Sequence, residues 1–266
     1  MSSTIVSTSR MRGTLRSTTG SALSTHAARI GSAPFLFPEA RMEPFSERAP
    51  SMTKDSATAS VTVVDMAAQA IVVAALDPTR ERAWETLTRY TQSEALRRHA
   101  LAVEASVAAY ARKLGEDEER WRVVALLHDF DYEIHPTLDE HPQDGAPILR
   151  EEGWPEDVIE AILSHAEHLA MPRDTPLKKT LFACDELSGF VHACALVRPT
   201  GLEGLEPKSV KKKLKQPSFA AGVHRDEVYR GAEELGVELD EHIRTVVAAM
   251  QPIARELGLP SAADAA

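Results

Sequence analysis

From Asp77 onward, hydrophobic residues recur every three to four positions, the period of helices that each bury one face. Asp77-Pro78 opens a helix running toward Tyr90, and Ser93 is placed to cap a second helix through Leu114, where Gly115 stops it. Residues 117–129 repeat the apolar period through Trp121, Val124, Ala125 and Leu127, and a polar, proline-containing loop follows from Asp131 to Pro142. Further helices are predicted at 144–151, 155–169, 176–197, 226–235 and 239–257. No alternating run of β-branched residues lies between them, so the class is all-α. The pattern divides into a helical bundle over 77–200 and a C-terminal helical extension over 201–258 that packs on it. Residues 1–60 lack the period. They hold 12 Ser, 8 Thr and a net charge of +3, and prolines at 34, 38, 44 and 50 interrupt any helix, which predicts a disordered N-terminal extension. With Arg10, Arg12, Arg16 and Arg29 and no acid in the first 38 residues, it reads as a transit peptide or as an over-long start ahead of Met52.

Composition narrows the function. At 43% hydrophobic, 266 residues can fill a core, and a net charge of −10 weighs against wrapping a nucleic-acid polymer. Cys184 and Cys194 are spaced about 15 Å along one predicted helix, too far to pair, which fits a reducing cytoplasm. The most apolar stretch, residues 61–76, is interrupted by Asp65 and Gln69 and is too short to span a bilayer, so no membrane partner is expected.

The candidate chemistry lies in histidines and aspartates that end or interrupt apolar helix faces. His99 shares a face with Leu96, Ala102 and Val103, and His128-Asp129 closes the run from Val123 to Leu127. His141 precedes a helix, His165 follows Ile159, Ile162 and Leu163, and Asp185 follows Leu181, Phe182 and Ala183. A carboxylate at the end of an apolar run is costly to bury without a cation. Four imidazoles and two carboxylates on separate helical segments form the N/O donor set of a metal site in a bundle.

His99, then Leu-Leu-His128-Asp129, then Asp185 resembles the H…HD…D signature of the HD superfamily of metal-dependent phosphohydrolases. His141-Pro-Gln-Asp-Gly145 and the later His165 resemble the further ligand segments of its dinuclear, HDIG-related members, and the likeness covers about residues 90–200. The resemblance implies an HD-domain bundle in which His99, His128, Asp129 and Asp185 hold one metal and Asp129 bridges to a second on His141 and His165. Two divalent ions, Fe or Mn before Zn, Co or Mg, would activate water against a phosphate ester of a small metabolite or nucleotide. Phe130-Asp131-Tyr132 stands where HDIG proteins carry Ile-Gly, and no Gly-Tyr-Pro follows His165, so neither group's substrate is inherited. A di-iron oxygenase and a non-catalytic regulatory module are the rival readings.

Four other features carry expectations. Asp129 and His168 are the candidate catalytic groups; His168 and Glu167 beside it read either as groups that orient ligands or protonate the leaving group or as solvent-facing helix residues, and His135 is a weaker ligand candidate than His141. Gly189 reads as close packing near Asp185 or as a helix end. Five lysines between Lys208 and Lys215, with Lys211 and Lys212 central, would steer a phosphorylated substrate if they folded back over the metals.

Overall fold

A computed structural model describes residues 77–260, and every regular element among them is helical. The expected disorder of residues 1–60 and the apolar stretch 61–76 lie outside the described residues. No helix of the described residues is long and apolar enough to cross a membrane.

Capping residues fix where the helices begin. Thr79, rather than Asp77, caps α1 (Arg80–Tyr90), its side chain accepting from the Arg82 N–H; Ser93 does the same for α2 (Glu94–Leu114), and Gly115 ends α2 in the left-handed conformation. Asp117 caps α3 (Glu118–Leu127), whose last five residues are all buried. After the loop come α4 (Gly145–Glu151) and α5 (Glu156–Leu163). The helix expected to continue to Leu169 breaks at Ser164, and Glu167–Leu169 form a separate 3-10 turn. Thr175 caps α6 (Pro176–Leu196), which passes unbroken through Gly189 and so removes the helix-end reading of that residue. The lysine run, for which no helix was predicted, is α7 (Pro207–Leu214); α8 (Arg225–Leu235) and α9 (Leu239–Met250) complete the set.

Two apolar clusters meet along α2 and α6. One joins α1 to α5 with α6 through Leu87, Val103, Tyr110, Leu126, Ile159 and Leu181; the other joins α6 to α7, α8 and α9 through Leu187, Phe190, Val210, Val228, Ile243 and Met250. The loop after α3 is tied to the start of α2. Glu133 accepts from the Gln92 and Ser93 N–H groups at 2.7 and 2.9 Å, and Thr91 donates to the Phe130 carbonyl at 2.8 Å. These ties hold His99, one turn into α2, against the end of α3.

Candidate metal centre

The six sequence-predicted donors converge in two groups that share Asp129. In the first, His99 Nε2 lies 2.9 Å from Asp185 Oδ1 and 3.7 Å from Asp129 Oδ2. His128 Nε2 lies 3.3 Å from Asp129 Oδ2, 3.4 Å from Asp185 Oδ1 and 3.3 Å from His99 Nε2. In the second, Asp129 turns its other oxygen, Oδ1, to His141 Nε2 at 3.2 Å and to His165 Nε2 at 3.4 Å.

The far side of three rings is already committed. His128 Nδ1 donates to the Ala125 carbonyl at 2.8 Å, His165 Nδ1 to the Ile162 carbonyl at 2.6 Å, and His141 Nδ1 to Asp131 Oδ1 at 2.9 Å. A ring that donates from Nδ1 in its neutral form presents a lone pair at Nε2. Those lone pairs face carboxylate oxygens and, at His128, another imidazole nitrogen. Acceptor opposes acceptor throughout, and only a cation in the centre relieves it. In the protein alone that cation is a proton. Burial opposes charge on His128, yet Asp129 and Asp185 hold it well above the usual imidazole range. Burial likewise opposes the Asp129 and Asp185 carboxylates, yet His128 foremost holds both below the ordinary range. His141 is pushed down by burial and up by its hydrogen bonds to Asp129 and Asp131, ending at about 9. The donor set fits divalent metal, with second-layer partners fixing the tautomers.

Asp131 is the residue the sequence reading missed. It is fully buried, bonded to His141 and 3.4 Å from His135 Nδ1, so His135 stands behind the ligands rather than among them. The signal was a second aspartate two positions after Asp129. Gly189 serves close packing: a Cβ there would meet His99 Nδ1 at 3.4 Å. His168 is exposed in the 3-10 turn, 3.3 Å from Gln143 Oε1, and burial with the nearby His141 and His165 lowers its pKa. Glu167 is taken by Arg173 and Arg230, which stack on Phe182 and clamp the turn to α8.

The lysines do not fold back over the ligands. Val210 and Leu214 anchor α7 in the second core, where Lys211 pairs with Asp240 at 2.5 Å and Lys213 lies 4.3 Å above the Phe219 ring. Lys213 acts on Cys194, which is about 13 Å further along α6 than Asp185 at 1.5 Å per residue. Lys212 is exposed on the same helix.

The family model of the HD domain matches residues 96–189, a span that holds all six donors. Among curated relatives, Ribonuclease Y of Oleidesulfovibrio alaskensis is 31% identical over 102 residues, covering 38% of this chain and 19% of that protein. Ribonuclease Y of Nitratidesulfovibrio vulgaris (strain DP4) is 32% identical over 102 residues, with the same coverage. The chain therefore spans about a fifth of the length of these relatives. No solved structure gives a significant match. Residues 96–189 of this chain are an HD domain, the module of a superfamily of metal-dependent phosphohydrolases.

Proposed function

We propose that the protein is a metal-dependent phosphohydrolase that cleaves a phosphate ester of a small metabolite or nucleotide with two divalent transition-metal ions. The observation that carries this is the division of Asp129, one oxygen to each donor group. His99, His128, Asp129 and Asp185 would hold one ion, and Asp129, His141 and His165 the other. An imidazole-rich set with few carboxylates favours iron or manganese, with zinc or cobalt next and magnesium last. When bound, such ions supply Lewis acidity and bring the pKa of a coordinated water from 15.7 to about 7.

The chain's own residues do the rest. Asp129 fixes the spacing of the two positions; Ala125, Ile162 and Asp131 hold the rings so that Nε2 faces inward. His168 was expected to protonate the leaving group. Its lowered pKa leaves it neutral near pH 7, so it holds no proton at the start and would serve the departing oxygen only with the proton released by the attacking water.

Charge supports a small substrate. A chain at −10 repels a polyanion over most of its surface, and the relatives that carry the name ribonuclease match it over only 102 residues, 19% of their own length. The test is a panel of p-nitrophenyl phosphate, bis(p-nitrophenyl) phosphate, nucleotides and a short RNA, each with Mn, Fe and Mg, alongside oxygen uptake. Turnover of the small esters is expected. Faster cleavage of RNA than of every small ester would overturn the substrate class, and oxygen uptake without hydrolysis would turn the reading to a di-iron oxygenase.

A further inference from the structure

The helix α8 crosses α6 so closely that a Cβ at Gly231 would lie 2.7 Å from Ala183 Cα, a spacing only glycine accommodates. That contact sets the register of the pair. One turn nearer its N-terminus, α8 presents Glu227, and at the N-cap His224, to Glu186, the residue after Asp185. His224 Nδ1 lies 2.9 Å from Glu186 Oε1, and the His224 backbone N–H donates to Glu186 Oε2 at 3.2 Å. One carboxylate therefore grips both the ring and the chain that carries it. With Nδ1 committed, Nε2 is the remaining edge of a side chain that is 58% exposed.

Through Glu186 this ring is tied to the residue that follows Asp185 in α6. Burial first, and the Asp185 charge after it, opposes ionisation of both Glu186 and Glu227; burial, then Asp129 and Glu186, raises the pKa of the half-buried Tyr132, whose ring meets His141 edge-on at 5.1 Å. The groups acting most strongly on Asp129, Asp185 and Tyr132 are histidines and carboxylates, with no lysine or arginine among them. A phosphate oxygen that the metals leave uncovered needs a donor, and His224 is a hydrogen-bonding cation on that side: Glu186 holds its pKa up at about 9 against burial.

We propose that His224, fixed by Glu186 and delivered by a helix outside the matched HD segment, contacts the substrate by donating its Nε2–H to a phosphate oxygen projecting from the metal centre. This rests on the phosphohydrolase reading. It also gives α8 a task in substrate choice that the 96–189 segment does not supply.

The test uses full-length, zinc-loaded protein and orthophosphate as the probe, followed by calorimetry and by the proton resonance of the His224 ring. His224→Gln keeps a donor for Glu186 and removes the cation, so it is the primary variant; His224→Ala is the second. Metal content at the wild-type value, orthophosphate affinity weakened about tenfold or more, and a His224 resonance that moves on phosphate addition are expected. Equal affinity in wild type and His224→Gln would overturn the proposal while leaving the phosphohydrolase reading standing, and a lowered melting temperature with unchanged affinity would reduce His224 to a staple between helices. No orthophosphate binding by wild type would overturn both. Loss of a third ion in His224→Gln would give Glu186, His224 and Glu227 to a cation instead, and would also overturn it.

Discussion

Gly145 and Asp131 are fitted to one another: a Cβ at position 145 would lie 2.5 Å from Asp131 Oδ2 and 2.6 Å from its carboxyl carbon. Asp131 in turn accepts from His141 Nδ1 at 2.9 Å, so the first residue of α4 governs the aim of a metal-facing ring without touching it. Gly145→Ala must push the Asp131 carboxylate aside within a buried site. Overpacking of this kind costs about 1–3 kcal/mol. The expected outcome is a lower melting temperature and loss of metal at the His141–His165 position, with the His99–Asp185 position still filled, read by metal analysis. Equal loss from both positions would show that Gly145 acts on the whole fold.

Asp131→Asn leaves the space filled and removes the charge behind His141. Partners of this type typically change metal affinity by about 10–100-fold. A two-step metal titration should show the weaker step shifted by that much and the other step in place.

The same sharing argument separates two further variants. Asp129 offers one oxygen to each group, and no neighbouring acid takes its place, since Asp131 faces away to His141 and His135. Asp129→Ala should therefore lose both ions, while His141→Ala should lose one. Near-normal metal content in Asp129→Ala would refute the bridging arrangement.

How much of this was legible in the sequence follows from what each residue answers to. His99, His128, Asp129, His165 and Asp185 each end or interrupt an apolar helix face and His141 stands just ahead of a helix, a local pattern, and the structure brings all six together. Their division around the two oxygens of Asp129 came only from the resemblance, because periodicity gives the face of a helix and not the rotamer of a carboxylate. Asp131 sat in a stretch with no helical period and gave no sign of burial. Glu186 and His224 are 38 residues apart and meet only through the α6–α8 crossing at Gly231, a tertiary fact with no local mark. The lysine run misled for the opposite reason: its charge was plain, but Val210 and Leu214, spaced one turn apart, already made it a helix with a buried stripe that pins it on the second core.

Away from the metal centre, Glu104 is a sensitive point in the fold. It is 3% exposed in α2 and accepts from Arg80 at 2.5 Å and from Arg122 at 2.9 Å, joining α1, α2 and α3. Removing one member of a buried pair costs about 3–5 kcal/mol when the partner is left buried. Both guanidinium groups reach solvent in part, so Glu104→Ala should fall at or below the lower end, about 2–3 kcal/mol. Denaturant unfolding with metal content held equal measures it, and a loss under about 0.5 kcal/mol, the size of an ordinary surface change, would contradict the role.

Protons and metal ions compete for the same nitrogens, and the competition sets a pH dependence with a definite sign. His141 rises from the ordinary 6.5 to about 9, and His128 also stands well above its usual range, because both face aspartates. A group whose pKa is raised on folding contributes stability that is fully present below its unfolded pKa, near pH 6.5, and is lost as pH climbs through the folded value. Asp129 and Asp185 behave in the opposite way: their depressed pKa values add stability above about pH 4 that disappears as pH falls. Protein stripped with a chelator should therefore be most stable between about pH 5 and 6.5, and its melting temperature should fall from there to pH 9. Metal binding needs neutral imidazoles, so affinity should rise across that same interval with release of protons. The gap in melting temperature between loaded and stripped protein should widen from pH 6.5 to 9. Asp131→Asn, which removes one of the two carboxylates holding the His141 proton, should flatten the fall in the stripped protein. A stripped protein whose melting temperature is level or rising over that range would mean that the histidines do not hold protons against Asp129 and Asp185, and the acceptor-against-acceptor argument for the ions would fail with it.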